Sequence, residues 1–317
     1  MSTKKIKGLE NLDSELTQQL VKAGYKSVQA ISIAIPSDLA EDVEITLEKA
    51  EEIITRALTQ VSSPPKSAAE LLKLEQERGK VSTSSAALDG LLAGGAWTGE
   101  ITEIAGTFST GKSQLCFQLS VNAQMDKEEG GLGGKVFFVD TEGTFSATRV
   151  GEMALARDLD PAQVLENILV ARVLDSQHQT RIVQQINEIA KEQNIVLVIV
   201  DSIAAHFRAD YIGNARLPER QQRIMQHASS LTNLAYVHGM AVVVTNQMVQ
   251  KVDNVTGASQ ITPALGESWS HRPQTRLILR KSPGTARIAR LSDSPRRAEG
   301  EEVFYITDNG IRDSPRG

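Results

Sequence analysis

A chain of 317 residues with one cysteine, Cys116, closes no disulfide on itself, so its stability rests on packing. It also lacks any apolar run approaching the roughly 20 residues needed to cross a bilayer, and no membrane partner is expected. The opening residues MSTKKIKGLENLD contain no apolar h-region of a secretory signal; a reducing, intracellular, cytoplasmic setting is the expectation. NVT at 254–256 fits a glycosylation acceptor, but without such a signal it carries no weight. The five histidines show no metal-ligand spacing, so no zinc site is expected. Positive charge is short as well: 34 Lys and Arg face 39 Asp and Glu, a net −5 that argues against coating nucleic acid by bulk electrostatics. The distribution differs from the sum. HRPQTRLILRKSPGTARIARLSDSPRR (271–297) carries Arg272, Arg276, Arg280, Lys281, Arg287, Arg290, Arg296 and Arg297 against Asp293 alone, which reads either as a basic edge or as a solvated strand face.

What is present is a glycine-framed loop between an apolar run and a helical one: ITEIA, then GTFSTGKSQ (106–114), then LCFQL. The spacing G-x-x-x-x-G-K-S lets successive backbone N–H groups turn inward around a phosphate, because glycine at both ends permits dihedrals and close approach that a Cβ blocks. Gly106, Thr107, Phe108, Ser109, Thr110, Gly111, Lys112, Ser113 and Gln114 are therefore the nucleotide cradle. Lys112 reaches the β- and γ-phosphates and Ser113 offers its hydroxyl to Mg²⁺, while the helix that starts here points its positive end at the anion. Cys116, beside Leu115 and Phe117 on that helix, reads as a small buried hydrophobe.

Residues 1–60 read as short helices, among them LDSELTQQLVKAG and TLEKAEEIITRALTQ. VSSPPK (61–66) resists both helix and sheet and reads as a linker, after which SAAELLKLEQERG is an amphipathic helix. Beyond it EITEIAG, KVFFVDTEG, NILVARV, NIVLVIVDS and MAVVVTNQ are strand cores separated by helical stretches. That alternation predicts an α/β fold with a mainly parallel sheet, in which ligands bind beyond the carboxyl ends of the strands. RLILRK, ARIARLSD and EVFYITDNGI are expected as antiparallel strands closing the sheet's edge.

Polar residues at strand ends are then the candidates for chemistry. Asp201, ending NIVLVIVD, is placed to hold Mg²⁺ opposite Ser113. VDTEG offers Asp140 and Glu142; Glu142 is the choice for activating water against the γ-phosphate, the alternative being a helix-capping carboxylate. Asn246 and Gln247 end another strand, with amides suited to sensing the γ-phosphate. Two long polar segments, 206–223 and 248–269, leave strands on the same side and are read as loops. Arg208, Arg216, Arg220, Arg223 and Lys251 suit nucleic-acid phosphates and Val252 suits a wedge between bases; the alternative is mobile surface.

In order along the chain, GTFSTGKSQLCFQL, VFFVDTEGTF, ILVARVLDSQHQ, VIVDSIAAHFRADYIGN, LPERQQ, VVVTNQ and RIARLSDSP together resemble the archaeal RadA recombinases and their eukaryotic homologues, from about residue 67 onward. The resemblance implies a RecA-type phosphate-loop ATPase core at 81–317, a linker with the polymerisation motif at 61–80, and an all-α, helix-hairpin-helix-like domain at 1–60. It implies a helical filament or ring, nucleoid-associated, that binds ATP with Mg²⁺ between subunits and pairs single-stranded with double-stranded DNA. Under it Lys112, Glu142 and Gln247 are catalytic, Arg149 stacks on adenine, and His271 with Asp293 of the SDSP turn reaches the neighbour's nucleotide. The two polar segments become DNA-binding loops that include Arg208, Asn214, Arg216, Arg220, Lys251 and Val252.

Departures from that pattern are specific. Pro65 stands where the linker's docking phenylalanine is expected, ahead of Ala68, and weakens self-assembly. Asn214 replaces an arginine in the first loop, Ala298 replaces a proline after SDSP, and KGLENLDSEL and AEDVEITLEK carry acids where hairpin glycines are expected. PALGESWSH is closer to recombinase paralogues. Three functions stay open: the main recombinase, a paralogue or mediator that assists another recombinase, and an adaptor that binds nucleotide without turnover.

Overall fold

The amphipathic stretches before residue 62 form four helices, α1 (Ser14–Lys22), α2 (Val28–Ser32), α3 (Pro36–Asp42) and α4 (Leu47–Val61), in the computed structural model. That structure describes all residues except 1–5, 7–8, 10–11, 63, 253–258 and 317; at 214, 250–252, 259–263 and 267–268 it describes the backbone alone. Local chemistry sets the helix starts: the Ser27 hydroxyl accepts from Ala30 N, the Thr46 hydroxyl accepts from Lys49 N, and Pro36 occupies a first turn, where its missing N–H costs nothing. Leu20, Ile31, Leu39 and Ile53 close a small core, each contributing about 1.5–3 kcal/mol. This bundle rests on the larger body through Tyr25, which accepts from Gln184 at 2.9 Å, through a 2.8 Å Arg223–Asp38 pair, and through Ile33, buried among the larger body's side chains.

Helix α5 (Ala68–Glu77) starts with a reciprocal Ser67–Glu70 capping box. The helix expected there is present, yet it buries none of its residues: Leu71, Leu72 and Leu74 are 53%, 56% and 43% exposed. Among the described residues its apolar side stays largely uncovered.

The larger body runs β1 (Lys80–Val81), α6 (Ala86–Leu91), β2 (Ala96–Trp97), β3 (Ile101–Gly106), α7 (Lys112–Asn122), β4 (Lys135–Asp140), α8 (Ala147–Leu155), α9 (Pro161–Glu166) and β5 (Ile168–Arg172). It continues with α10 (Ser176–Ile189), β6 (Ile195–Asp201), α11 (Ala205–Asp210), α12 (Leu217–His238), β7 (Ala241–Val252), β8 (Ser259–Pro263) and α13 (Gly266–Ser270). The chain ends with β9 (Thr275–Lys281), β10 (Ala286–Asp293), β11 (Gly300–Thr307) and β12 (Gly310–Arg312). Among the described residues the main sheet runs β12-β11-β10-β9-β3-β7-β6-β4-β5, and β8 pairs with β7. Its centre is parallel, as the alternation of strand and helix requires. β9 departs from expectation: it is antiparallel to β10 but parallel to β3, and so joins the two halves of the sheet. Parallel register brings Gly106 level with Gln247 and Asp140 level with Asp201, which gathers the polar strand ends at one edge.

Two further expectations change. Segment 206–223 is mostly helix, divided between α11 and α12, because Phe207 and Ile224 are apolar anchors buried against the sheet; the described residues of 248–269 form the antiparallel β7–β8 pair followed by a helix. Half of the basic residues in the run 271–297 are ion-paired: Arg276 with Glu103, Arg280 with Glu301, Arg290 with Glu299, and Arg296 with Glu75 and Glu100. The run is neither a free basic edge nor a uniformly solvated face.

His227 of α12 gives a first prediction. Its ring lies fully buried, 5.6 Å from the Phe207 centroid, with Nδ1 lacking a hydrogen-bond partner among the described residues, and burial pushes its pKa down to about 4. An unfolded histidine takes up its proton near 6.5, so stability is complete above that pH and declines as pH falls toward 4, by about 1.4 kcal/mol per unit. Urea unfolding is expected to show a loss of about 2 kcal/mol between pH 6.5 and 5 that His227→Gln removes; an unchanged slope in the variant would assign the loss elsewhere.

Candidate nucleotide-binding site

β3 delivers Gly106 and α7 begins at Lys112, so the loop between them is short and sharply bent. A Cβ on Gly106 would stand 2.5 Å from Thr110 Oγ1 and 2.9 Å from the Leu279 carbonyl; Gly111, at φ +102°, would put one 2.3 Å from Ile306 Cδ1. Only glycine meets both demands. Thr110 Oγ1 donates to Thr107 O at 2.9 Å, and Lys112 Nζ donates to the carbonyls of Gly106 and Thr107 at 3.0 Å each. Phe108 stands 90% exposed at the loop's tip.

Beside this loop lies a cavity of about 290 Å³ lined by Ser109, Gly111, Lys112, Ser113, Gln114, Glu142, Thr144, Asp201, Gln247, Arg287 and Ile306. Thr245 donates its hydroxyl to Asp201 Oδ1, whereas Oδ2 is buried without a well-formed hydrogen bond, although Ser113 lies near enough to draw the acid's pKa down. Burial outweighs these contacts and holds Asp201 above the usual carboxylate range. Burial likewise pushes the Lys112 ammonium down against the pull of Asp201 and Glu142. Both shifts run in the direction that a polyphosphate at Lys112 and a divalent cation at Asp201 would reverse. The orphaned Oδ2, the Ser113 hydroxyl and the glycine cradle fit a magnesium nucleotide.

Glu142 Oε1 accepts from Ser202 Oγ at 2.9 Å and from Gln247 Nε2 at 3.0 Å. Asp140 is differently occupied: its oxygens accept the backbone N–H groups of Gly143, Thr144 and Phe145, so it braces the turn. Period-2 alternation separates the two strand-end amides of β7. Gln247 lines the cavity and Thr245, on the same face of the strand, meets Asp201; Asn246 between them points through the sheet and donates to Glu103 at 2.7 Å, so it does not reach the nucleotide side as expected. Arg149 sits at the rim, donating to Gln114 at 2.9 Å and to the Asp308 carbonyl at 2.5 Å. His271 and Asp293 are exposed and lie outside the cavity's lining.

The candidate DNA residues are dispersed. Arg208 is exposed on α11; Arg216 pairs with Glu219 at 3.1 Å and stacks over Tyr211; Arg220 has a buried Nε lacking a partner. Arg223 is held by Asp38 of the helical bundle. The side chains of Asn214, Lys251 and Val252 lie outside the described residues. Sequence reasoning missed Ser202, Thr245, Arg287 and Ile306. No local signal marks them, since Arg287 and Ile306 reach the cavity from strands distant from the phosphate loop, and Ser202 and Thr245 act through Glu142 and Asp201.

A family model described as Rad51 matches residues 75–314. The chain is 42% identical over 315 residues to the DNA repair and recombination protein RadA of Metallosphaera sedula, covering 98% of this chain and 96% of that protein. It is 41% identical over 311 residues to the protein of the same name from Aeropyrum pernix, covering 98% and 97%.

Proposed function

Since the chain belongs to the Rad51 family, we propose that it is a DNA repair and recombination ATPase whose bound nucleotide switches its hold on single-stranded DNA. The observation that carries this reading is the Gln247–Glu142 hydrogen bond at the mouth of the phosphate loop. Gln247 starts the β7–β8 hairpin, so one side chain belongs both to the hydrolytic centre and to the proposed DNA-holding segment. Lys112 binds the β- and γ-phosphates of ATP, Glu142 takes the proton of the attacking water, and Gln247 detects the terminal phosphate. Ser113 and Asp201 would hold Mg²⁺, which supplies charge neutralisation on the phosphates. Arg149, His271 and Asp293 are assigned to the nucleotide, the last two on a neighbouring subunit's. Arg208, Asn214, Arg216, Arg220, Lys251 and Val252 are assigned to DNA.

In this reading residues 1–60 are a helix-hairpin-helix-like module, 61–80 the assembly linker and 81–317 the RecA-type core. Subunits in a filament add many weak DNA contacts in register, and double-stranded DNA is the second substrate of strand exchange. The uncovered leucines of α5 support assembly with further copies. Pro65, exposed in the linker, supports the second reading, a mediator that acts on another recombinase.

Negative-stain microscopy with single-stranded DNA and ATP separates the two. Long regular filaments without a partner are expected, and Pro65→Phe should lengthen them. Absence of filaments in both proteins would turn the assignment to the mediator, and absence of DNA-stimulated hydrolysis would turn it to an adaptor without turnover.

A further inference from the structure

Glu103 lies at the middle of β3 with none of its surface exposed, the one ionisable residue of a wholly buried strand. A buried carboxylate persists only where donors satisfy it. Three converge here from separate segments: Asn246 Nδ2 on Oε1 at 2.7 Å, Trp269 Nε1 on the same oxygen at 2.6 Å, and Arg276 Nε on Oε2. Arg276 also donates to the Ser270 carbonyl at 3.0 Å. Register explains the meeting, because Glu103 stands opposite Val244 of β7 and Arg276 of β9, on the sheet face away from the phosphate loop. Trp269 belongs to α13, which directly follows the β7–β8 hairpin, and the hairpin's base is closed by Ala264 N donating to Gln247 O at 2.8 Å.

We propose that Glu103 is a positioning residue that ties the base of the hairpin to the phosphate-loop strand, so that nucleotide state at Gln247 sets the hairpin's hold on DNA. This rests on the function proposed above. Asn246 is the chain neighbour of Gln247 and shares one carboxylate oxygen with Trp269. A shift of Gln247 toward a terminal phosphate moves Asn246, and Asn246 leaves Glu103 only by depriving a buried charge of a donor. The displacement is therefore passed to Trp269 and α13 instead of being absorbed in a loop. One oxygen couples both ends of the hairpin.

The experiment measures binding of a fluorescein-labelled oligothymidylate with a non-hydrolysable ATP analogue and with ADP. Trp269→Phe keeps an aromatic side chain but removes the indole N–H together with its five-membered ring; Glu103→Gln removes the charge; Gln247→Ala is the reference. The ratio of DNA affinities in the two nucleotide states is expected to fall about tenfold in both Glu103→Gln and Trp269→Phe, within the usual span of coupling energies. Their affinity for a fluorescent ADP analogue should not change. The chain has two tryptophans, so in a Trp97→Phe background Trp269 reports alone. Its emission is expected to shift on adding the ATP analogue, and the shift to vanish with Glu103→Gln, which a merely structural role would not produce. Retention of the parent's ratio by Trp269→Phe and Glu103→Gln, with Gln247→Ala losing it, overturns the inference and leaves the proposed function standing. Equal DNA binding by the parent in both states overturns both.

Discussion

Lys112→Ala is expected to lower ATP turnover by about 10²–10³-fold, the effect of deleting one positioned donor from developing phosphate charge. The ammonium group is prepositioned. It is half-buried, donates to two carbonyls of its own loop at 3.0 Å, and is destabilised as a cation by that burial. A polyphosphate restores what burial removes, so much of the binding free energy at this loop passes through one nitrogen. The substitution touches no apolar contact of the core, and the melting temperature without nucleotide should be nearly unchanged. With nucleotide at one hundred times its dissociation constant the parent gains about 2.7 kcal/mol of stability, whereas the variant should gain almost none under the same conditions. Turnover by the variant within tenfold of the parent would refute the assignment of the loop.

Glu142→Gln should separate chemistry from binding. Both hydrogen bonds to the side chain, from Ser202 and Gln247, fall on Oε1, and an amide oxygen can accept both. Fold, cavity and nucleotide-dependent stabilisation should therefore survive, while loss of the proton acceptor lowers turnover by about 10²–10⁴-fold. Asp140, two residues earlier, offers no such test, because its oxygens are occupied by three backbone N–H groups of the turn. A Glu142→Gln protein that hydrolyses ATP at the parent's rate would move the general base elsewhere. Together the two variants part the site into a half that grips and a half that reacts.

The phosphate loop, the strand that ends in Asp201 and the helix after Gly111 were legible because each follows from residues adjacent in the chain: glycine at a forced dihedral, an apolar run, a polar stop. Glu103 passed as part of the strand core ITEIA, and nothing nearby in the chain names its partners. From the residues alone both amides, Asn246 and Gln247, suit the γ-phosphate, because a strand's period reveals that neighbours oppose one another, not which of them meets the nucleotide. The basic run 271–297 stayed ambiguous for a related reason: the acids that pair with half of it, Glu75, Glu100, Glu103, Glu299 and Glu301, include three from β3 and the chain before it. Backbone geometry and hydrophobic period are local and belong to the sequence by itself. Which side chains satisfy a buried charge, and which face of a strand looks on the cavity, depends on segments that meet only once the sheet has closed, because Coulombic and hydrogen-bond energies are decided by distance in space.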